Sequence, residues 1–181
     1  IDFVRNIHHV FAILLAVGAL YHVLAVGYGI LVKRSRLSMF PTLKDVTDAL
    51  TTVKYFFGLS KDKPHFDRYS YGEKMEYWAL AWGTLLMGLT GFIMWFPTKA
   101  TQFIDGIWIP VSKMAHGWEA VLAVLSLLVW HVYHVHLKSW NTSMFTGKMS
   151  KEHMLEEHPL EYARLIAEAG EAEIAPYDLV K

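Results

Sequence analysis

Two apolar stretches of this 181-residue chain each carry a pair of histidines about four helical turns apart. His8 and His22 are fourteen positions apart in the first stretch, and His116 and His131 are fifteen apart in the last. Fourteen residues make nearly four α-helical turns, so His8 and His22 share a face, roughly 21 Å apart along the axis. The second pair is roughly 22 Å apart on the same arithmetic. Imidazole suits iron on both axial sides of a haem, and an ionisable residue inside a membrane helix marks a functional site by default. Two parallel helices with these spacings would face their imidazoles as two pairs at two depths. Two stacked haems b, each held non-covalently between two histidines, require that arrangement.

The fourth position has two contenders. On an uninterrupted α-helix His131 is about 60° away from the face of His116, whereas His134 is five whole turns and about 27 Å along it. Only the shorter spacing matches that of His8 and His22, which favours His131. His134 is then a quinone contact or a partner for a haem propionate, and it stays open as the alternative ligand. Trp130, Tyr133 and Lys138 join His134 as quinone candidates, because a quinone site needs polar groups at the membrane edge near the inner haem. Arg5 and Lys113 lie near the outer ligands and suit pairing with propionates, or are ordinary interfacial residues. Gly18, between His8 and His22, has Ala12, Ala16 and Ala19 nearby; small residues allow close helix contact, and equally leave room for a porphyrin. His9 faces away from His8 and His22, and His136 sits at the membrane edge. His65, His153 and His158 lie in polar segments and carry no signal.

The elements that must position these residues follow from composition. Apolar residues make up 54% of the chain and mean hydropathy is +0.25, too apolar for an ordinary soluble domain. Residues 7–32, 75–96 and 115–137 are each long enough to cross a bilayer, which takes about 20 residues. The expected fold is all-α, an integral membrane helical bundle with three transmembrane helices and one interfacial helix. Residues 1–140 form the membrane di-haem domain in this view, and 141–181 a cytoplasmic tail.

Net charge is zero, but its distribution is uneven. The loop after the first span holds Lys33, Arg34, Arg36, Lys44, Lys54, Lys61, Lys63, Arg68 and Lys74, against only Lys99 and Lys113 between spans two and three. Lys138, Lys148, Lys151 and Arg164 follow the third span. The positive-inside rule places the long loop and the tail in the cytoplasm, so spans one and three run parallel, outside to inside. Basic residues are explained by this topology, and no nucleic-acid signature accompanies them. Cysteine is absent, which excludes disulfides, thiolate-bound clusters and covalent haem attachment in this segment. Ile1 stands directly before a span, without a start methionine or signal peptide; the expectation is that a further helix or an outside domain precedes it.

Between the spans, Leu43, Val46, Leu50, Val53 and Phe57 recur at helical spacing after a Thr42–Asp45 capping box, with Gly58 as a stop. This predicts an amphipathic helix over 43–57 on the membrane surface, a spacer or a docking shelf. Ser70 and Glu73 form a capping box opening span two, and Trp95-Phe96-Pro97 closes it with interfacial aromatics. Gly83, Gly88 and Gly91 let that span pack closely. A charged helix is expected from Pro159 to a stop at Gly170, as a surface for another subunit or a solvated tail.

Taken in order, RNIH at the start of span one, RYSYGEKMEYW opening span two, the LTGFIMWFP exit, the AHG start of span three and FTGKMSKEHMLEEHP after it resemble the di-haem cytochrome b subunits of membrane-bound formate dehydrogenases, with hydrogenase and thiosulfate-reductase relatives. The resemblance covers Arg5 to about Ile166. It implies a four-helix bundle carrying electrons between an iron–sulfur partner and a quinone, and haem ligation by His8 and His116. Three departures stand out. The family's first helix, which brings one inner-haem ligand, has no counterpart in this segment; the formate dehydrogenase type lacks a histidine at the place of His22; and His131 is one position later than that family's inner ligand. Together they suggest that His22 replaces the missing ligand, in a two-helix, four-histidine arrangement like that of cytochrome bc complexes.

The expected function is therefore electron transfer in a prokaryotic cytoplasmic membrane, through two haems b held by His8 with His116 and by His22 with His131. The chain would link an iron–sulfur or multihaem cytochrome c subunit, among further oxidoreductase subunits, to menaquinone or ubiquinone. The competing expectations are a haem-free membrane anchor for an oxidoreductase, and a histidine-lined metal or proton pathway. Against the last, acids are nearly absent from the spans: Glu76 and Glu119 sit near span starts.

Overall fold

The computed structural model describes residues 2–137, 146–169 and 179–180. Lys138 and Gly170 lie outside the described residues. Three helices are long and apolar enough to cross a membrane. The first, α1 (Asp2–Leu31), has 30 residues and buries none of them. At 1.5 Å per residue it is about 45 Å long, enough to pass the headgroup regions as well as the hydrocarbon. It therefore begins over a turn earlier than the apolar run alone predicts. Asp2 in its first turn complements the positive end of the helix and pairs with Arg5 at 2.7 Å. At the other end Arg34 takes a left-handed φ of 50°, and the Ser35 N–H returns to the Gly29 carbonyl at 3.0 Å, which turns the chain off the helix.

The surface helix expected over 43–57 is α2 (Leu43–Phe56). Its capping box is formed: the Thr42 N–H donates to the Asp45 carboxylate at 2.6 Å. Gly58, at φ 70°, ends it in the backbone region that glycine reaches without cost. Leu43, Val46, Leu50 and Val53 remain more than half exposed.

Span two is α3 (Tyr71–Trp95), opened by the Ser70–Glu73 box, with the Ser70 N–H donating to Glu73 at 2.9 Å. Pro97 follows at the first position of a short helix, α4 (Pro97–Ala100). Span three begins as α5 (Trp108–Ser126), nearly two turns earlier than its apolar run. Just before it, Asp105 accepts from the N–H of the N-cap residue Ile107 at 3.0 Å. Beyond Ser126 the helix does not stay α. It continues through π turns at Leu127–His131 and Tyr133–Leu137. A π turn holds more residues than an α turn, so the 60° offset calculated for His131 on an uninterrupted α-helix does not carry past Leu127.

The chain divides into two compact units. One holds residues 1–37 and 79–127, the other residues 38–78 and 128–181. In the second, the segment after span three is packed rather than solvated. Helices α6 (Lys151–Glu157) and α7 (Pro159–Ala169) close over Met149 and Met154, with Tyr162 and Leu165 against them. Lys148–Met149 pairs antiparallel with Leu179–Val180. His158, which the sequence leaves without a role, is 4% exposed and its Nδ1 lies 2.8 Å from the Asp67 carbonyl. The Leu160 N–H donates to the Phe66 carbonyl at 3.2 Å. These contacts dock the tail on the 65–67 loop.

Also within the second unit, α2 is tied to the start of α3. Lys74 Nζ lies 2.9 Å from both carboxylate oxygens of Asp45, with the two side chains 11% and 15% exposed. Burial pushes the Asp45 carboxyl up, but hydrogen bonds from Lys74 and Thr42 outweigh it and hold it below its ordinary 3.8. A carboxyl that is more acidic in the folded chain adds stability that is complete above its ordinary value. That stability is lost as pH falls through the folded value. Asp45→Asn should therefore loosen α2 by about 2 kcal/mol at neutral pH. Hydrogen exchange of the α2 amides reads this, and the difference from wild type should shrink as pH falls below 3.8.

Candidate functional site

The first unit brings together the two histidines expected to share the outer haem. His8 on α1 and His116 on α5 have ring centroids 6.1 Å apart, with their planes at 82°. A metal–imidazole bond is about 2 Å long, and a ring centroid is about 1 Å behind its ligating nitrogen, so two axial imidazoles on one metal keep centroids about 6 Å apart. The pair matches that requirement.

His116 is also prepared electronically. Its Nδ1 is 2.9 Å from Thr90 Oγ1 on α3. Thr90 has one hydroxyl proton, and this goes to the Leu86 carbonyl at 2.7 Å. The hydroxyl oxygen can then only accept, so Nδ1 of His116 carries the proton and Nε2 keeps its lone pair for a metal. Thr90 is 7% exposed and so is itself fixed. The next residue, Gly91, makes the room: a Cβ there would be 3.3 Å from His116 Cε1 and 3.8 Å from Nδ1. At Gly18 on α1 a Cβ would meet nothing within 4 Å, so the helix face between His8 and His22 carries open space. Both histidines are exposed on α1. Donor type, spacing, fixed tautomer and open space together fit a haem.

His9 takes the structural role expected of it, stacking on Trp95 with centroids 4.1 Å apart. Arg5 is held by Asp2, so any propionate would have to share it. Glu119, one turn after His116, lies against α3 where Gly83 stands; a Cβ at Gly83 would fall 2.5 Å from its carboxylate oxygen.

The second unit holds His131 and His134. His131 Nδ1 is 2.6 Å from Glu76 Oε1 near the start of α3. An ionised carboxylate only accepts, so here too the proton sits on Nδ1 and Nε2 is left for a metal. His134 instead turns its Nδ1 to the Trp130 carbonyl within its own helix, at 2.9 Å. Its ring packs on Trp130, centroids 4.4 Å apart, and on Tyr133 at 5.1 Å. Three of the four quinone candidates thus share one turn, with Trp130 also lying over Gly72. Thr90 and Glu76 are the residues that sequence reasoning missed as histidine partners. They are 26 and 55 positions from their histidines, and only the packed helices bring them together.

Three membrane-length helices, with His8 and His116 close together on two of them, are the frame in which the family match is read. The chain belongs to the prokaryotic cytochrome b561 family, which it matches over residues 2–147. Its three membrane-length helices agree with a membrane protein of that family. Among curated proteins it is 25% identical over 126 residues to the cytochrome b556(Fdn) subunit of the nitrate-inducible formate dehydrogenase of Escherichia coli (strain K12). The same subunit from Escherichia coli O157:H7 and from Shigella flexneri matches equally. These alignments cover 69% of this chain and 57% of the relative, so the chain spans little more than half the length of these relatives.

Crowding the His116 ring should cost haem. Gly91→Val is expected to lower haem b content by one per chain in the purified complex, while Gly91→Ala, which the ring can yield to by a few tenths of an ångström, keeps it. Full haem content in Gly91→Val would mean that the ring is not constrained at that glycine.

Proposed function

We propose that this chain is the di-haem b subunit of a quinone-linked membrane oxidoreductase. His8 and His116 hold one non-covalent haem b, and His22 and His131 the other. The observation that carries this is the His8–His116 pair, 6.1 Å between centroids with the His116 tautomer fixed by Thr90. His131 receives matching support from Glu76, which favours it over His134 as the fourth ligand. His22 rests on its fourteen-residue spacing from His8 along the unbroken helix α1.

Bound haem supplies one-electron chemistry. The chain's own contribution is positional. Imidazoles from different helices fix each iron along one axis, and orienting hydrogen bonds keep the rings from turning. Lipid-facing apolar helices exclude water from the path between the two ends. Trp130, Tyr133 and His134 present an aromatic face with polar edges suited to a quinone head, with Lys138 as a fourth contact. The name borne by the relatives, a formate dehydrogenase subunit, supports association with further oxidoreductase subunits. An iron–sulfur or multihaem cytochrome c subunit is the electron partner. The basic residues on the 33–74 loop and the tail support an orientation in the prokaryotic cytoplasmic membrane with both on the cytoplasmic side.

A pyridine haemochrome assay on the purified complex should count two haems b per copy of this chain. His22→Ala should leave one, with the spectrum of the haem on His8 and His116 unchanged. Retention of both haems in that variant would remove His22 from the ligand set.

A further inference from the structure

The two histidines with fixed Nδ1 protons give them to opposite kinds of acceptor. Nδ1 of His116 lies 2.9 Å from a neutral hydroxyl, and Nδ1 of His131 lies 2.6 Å from a carboxylate. A carboxylate draws the proton more strongly, forms the shorter and stronger bond, and leaves more electron density on the ring. Nε2 of His131 is therefore the more basic donor. A more basic axial ligand favours ferric over ferrous iron and lowers the reduction potential; hydrogen bonding behind the ligand is one of the levers by which a protein sets that potential. Thr90 exerts a weaker pull, because its oxygen accepts but carries no charge, its own proton going to Leu86.

We propose that Glu76 and Thr90 are positioning residues that give the two haems unequal potentials, the haem on His131 being the lower and the haem on His116 the higher. This rests on the di-haem reading above. The order of the two potentials decides which way an electron moves downhill between the ends of the chain, so the device sits in two side chains that touch neither iron.

The test uses the purified holo-complex. Haem b is counted first by pyridine haemochrome, and fewer than two per chain in the wild type would overturn the di-haem reading itself. With two present, an optical redox titration should resolve two components. Glu76→Gln keeps a hydrogen-bond acceptor but removes the charge. It should favour the reduced form of the lower component about tenfold, an upward shift of about 59 mV for a one-electron couple. The other component should not move. Thr90→Val should change the potential and the ferric electron paramagnetic resonance signal of the higher component alone, and Thr90→Ser, which keeps the hydroxyl, should restore both. If Glu76→Gln sheds its haem, Glu76→Asp decides: the retained carboxylate should keep the low potential, and a tenfold rise there as well would overturn the assignment. Both components unmoved in Glu76→Gln, or both moved equally, would also overturn it.

Discussion

An imidazole in an apolar helix has two nitrogens, and lipid satisfies neither. One carries a proton that must be given away, and the other a lone pair that must be received. Burying either without a partner costs a few kcal/mol, so the protein has to commit each ring to a direction. Here the Nδ1 proton of His116 goes to Thr90, and that of His131 to Glu76. Each commitment leaves the other nitrogen with an oriented lone pair, the form a metal ligand needs. The positions of α3 relative to its neighbours within each unit, the small residue at Gly91 and the hydroxyl at Thr90 all serve that constraint.

This explains why the histidine-free span matters. By sequence α3 has no ligand and reads as a packing helix. In the structure it supplies the acceptor for His116 from Thr90, clearance from Gly91, and the acceptor for His131 from Glu76 near its opposite end. A helix without a metal ligand thus sets the tautomer of two candidate ligands on another. Outer-shell partners of this kind govern ligand orientation and basicity as much as the ligands themselves do.

Much of the scaffold was legible because its signals are local. Long apolar runs, the capping boxes at Thr42–Asp45 and Ser70–Glu73, and the stop at Gly58 each depend on a few neighbouring residues, and all three spans, both boxes and the stop are found. Span starts lie further out than the apolar runs, because polar residues such as Asp2 are carried in the first helical turn. That His8 and His116 lie near each other was readable from spacing and topology together. Thr90 and Glu76 were not, since nothing within a turn of either marks it as a histidine partner. His158 was equally hidden: its neighbours are charged, and only the docking of the tail on Asp67 makes it a buried residue. The buried Glu161 is similar, held by Arg164, whose guanidinium is raised above its ordinary range by Glu161 and Glu168.

The π turns are the departure with most bearing on the ligands. An α-helical count put His131 about 60° from the face of His116 and made His134 a serious rival. A turn closed from i to i+5 alters every later angular position, so the count had no authority beyond Leu127. Such turns are weakly satisfied on their own and persist where packing or a functional site favours them. In this chain they fall on the stretch that carries His131, Trp130, Tyr133 and His134. The hydrogen bond from His131 to Glu76 is made from the last residue of the first π turn, and His134 bonds back to Trp130 from within the second. The two histidines therefore differ in what holds them. One is anchored to another helix by a carboxylate, the other to its own backbone. Only the first of these partners carries a charge able to tune a metal ligand.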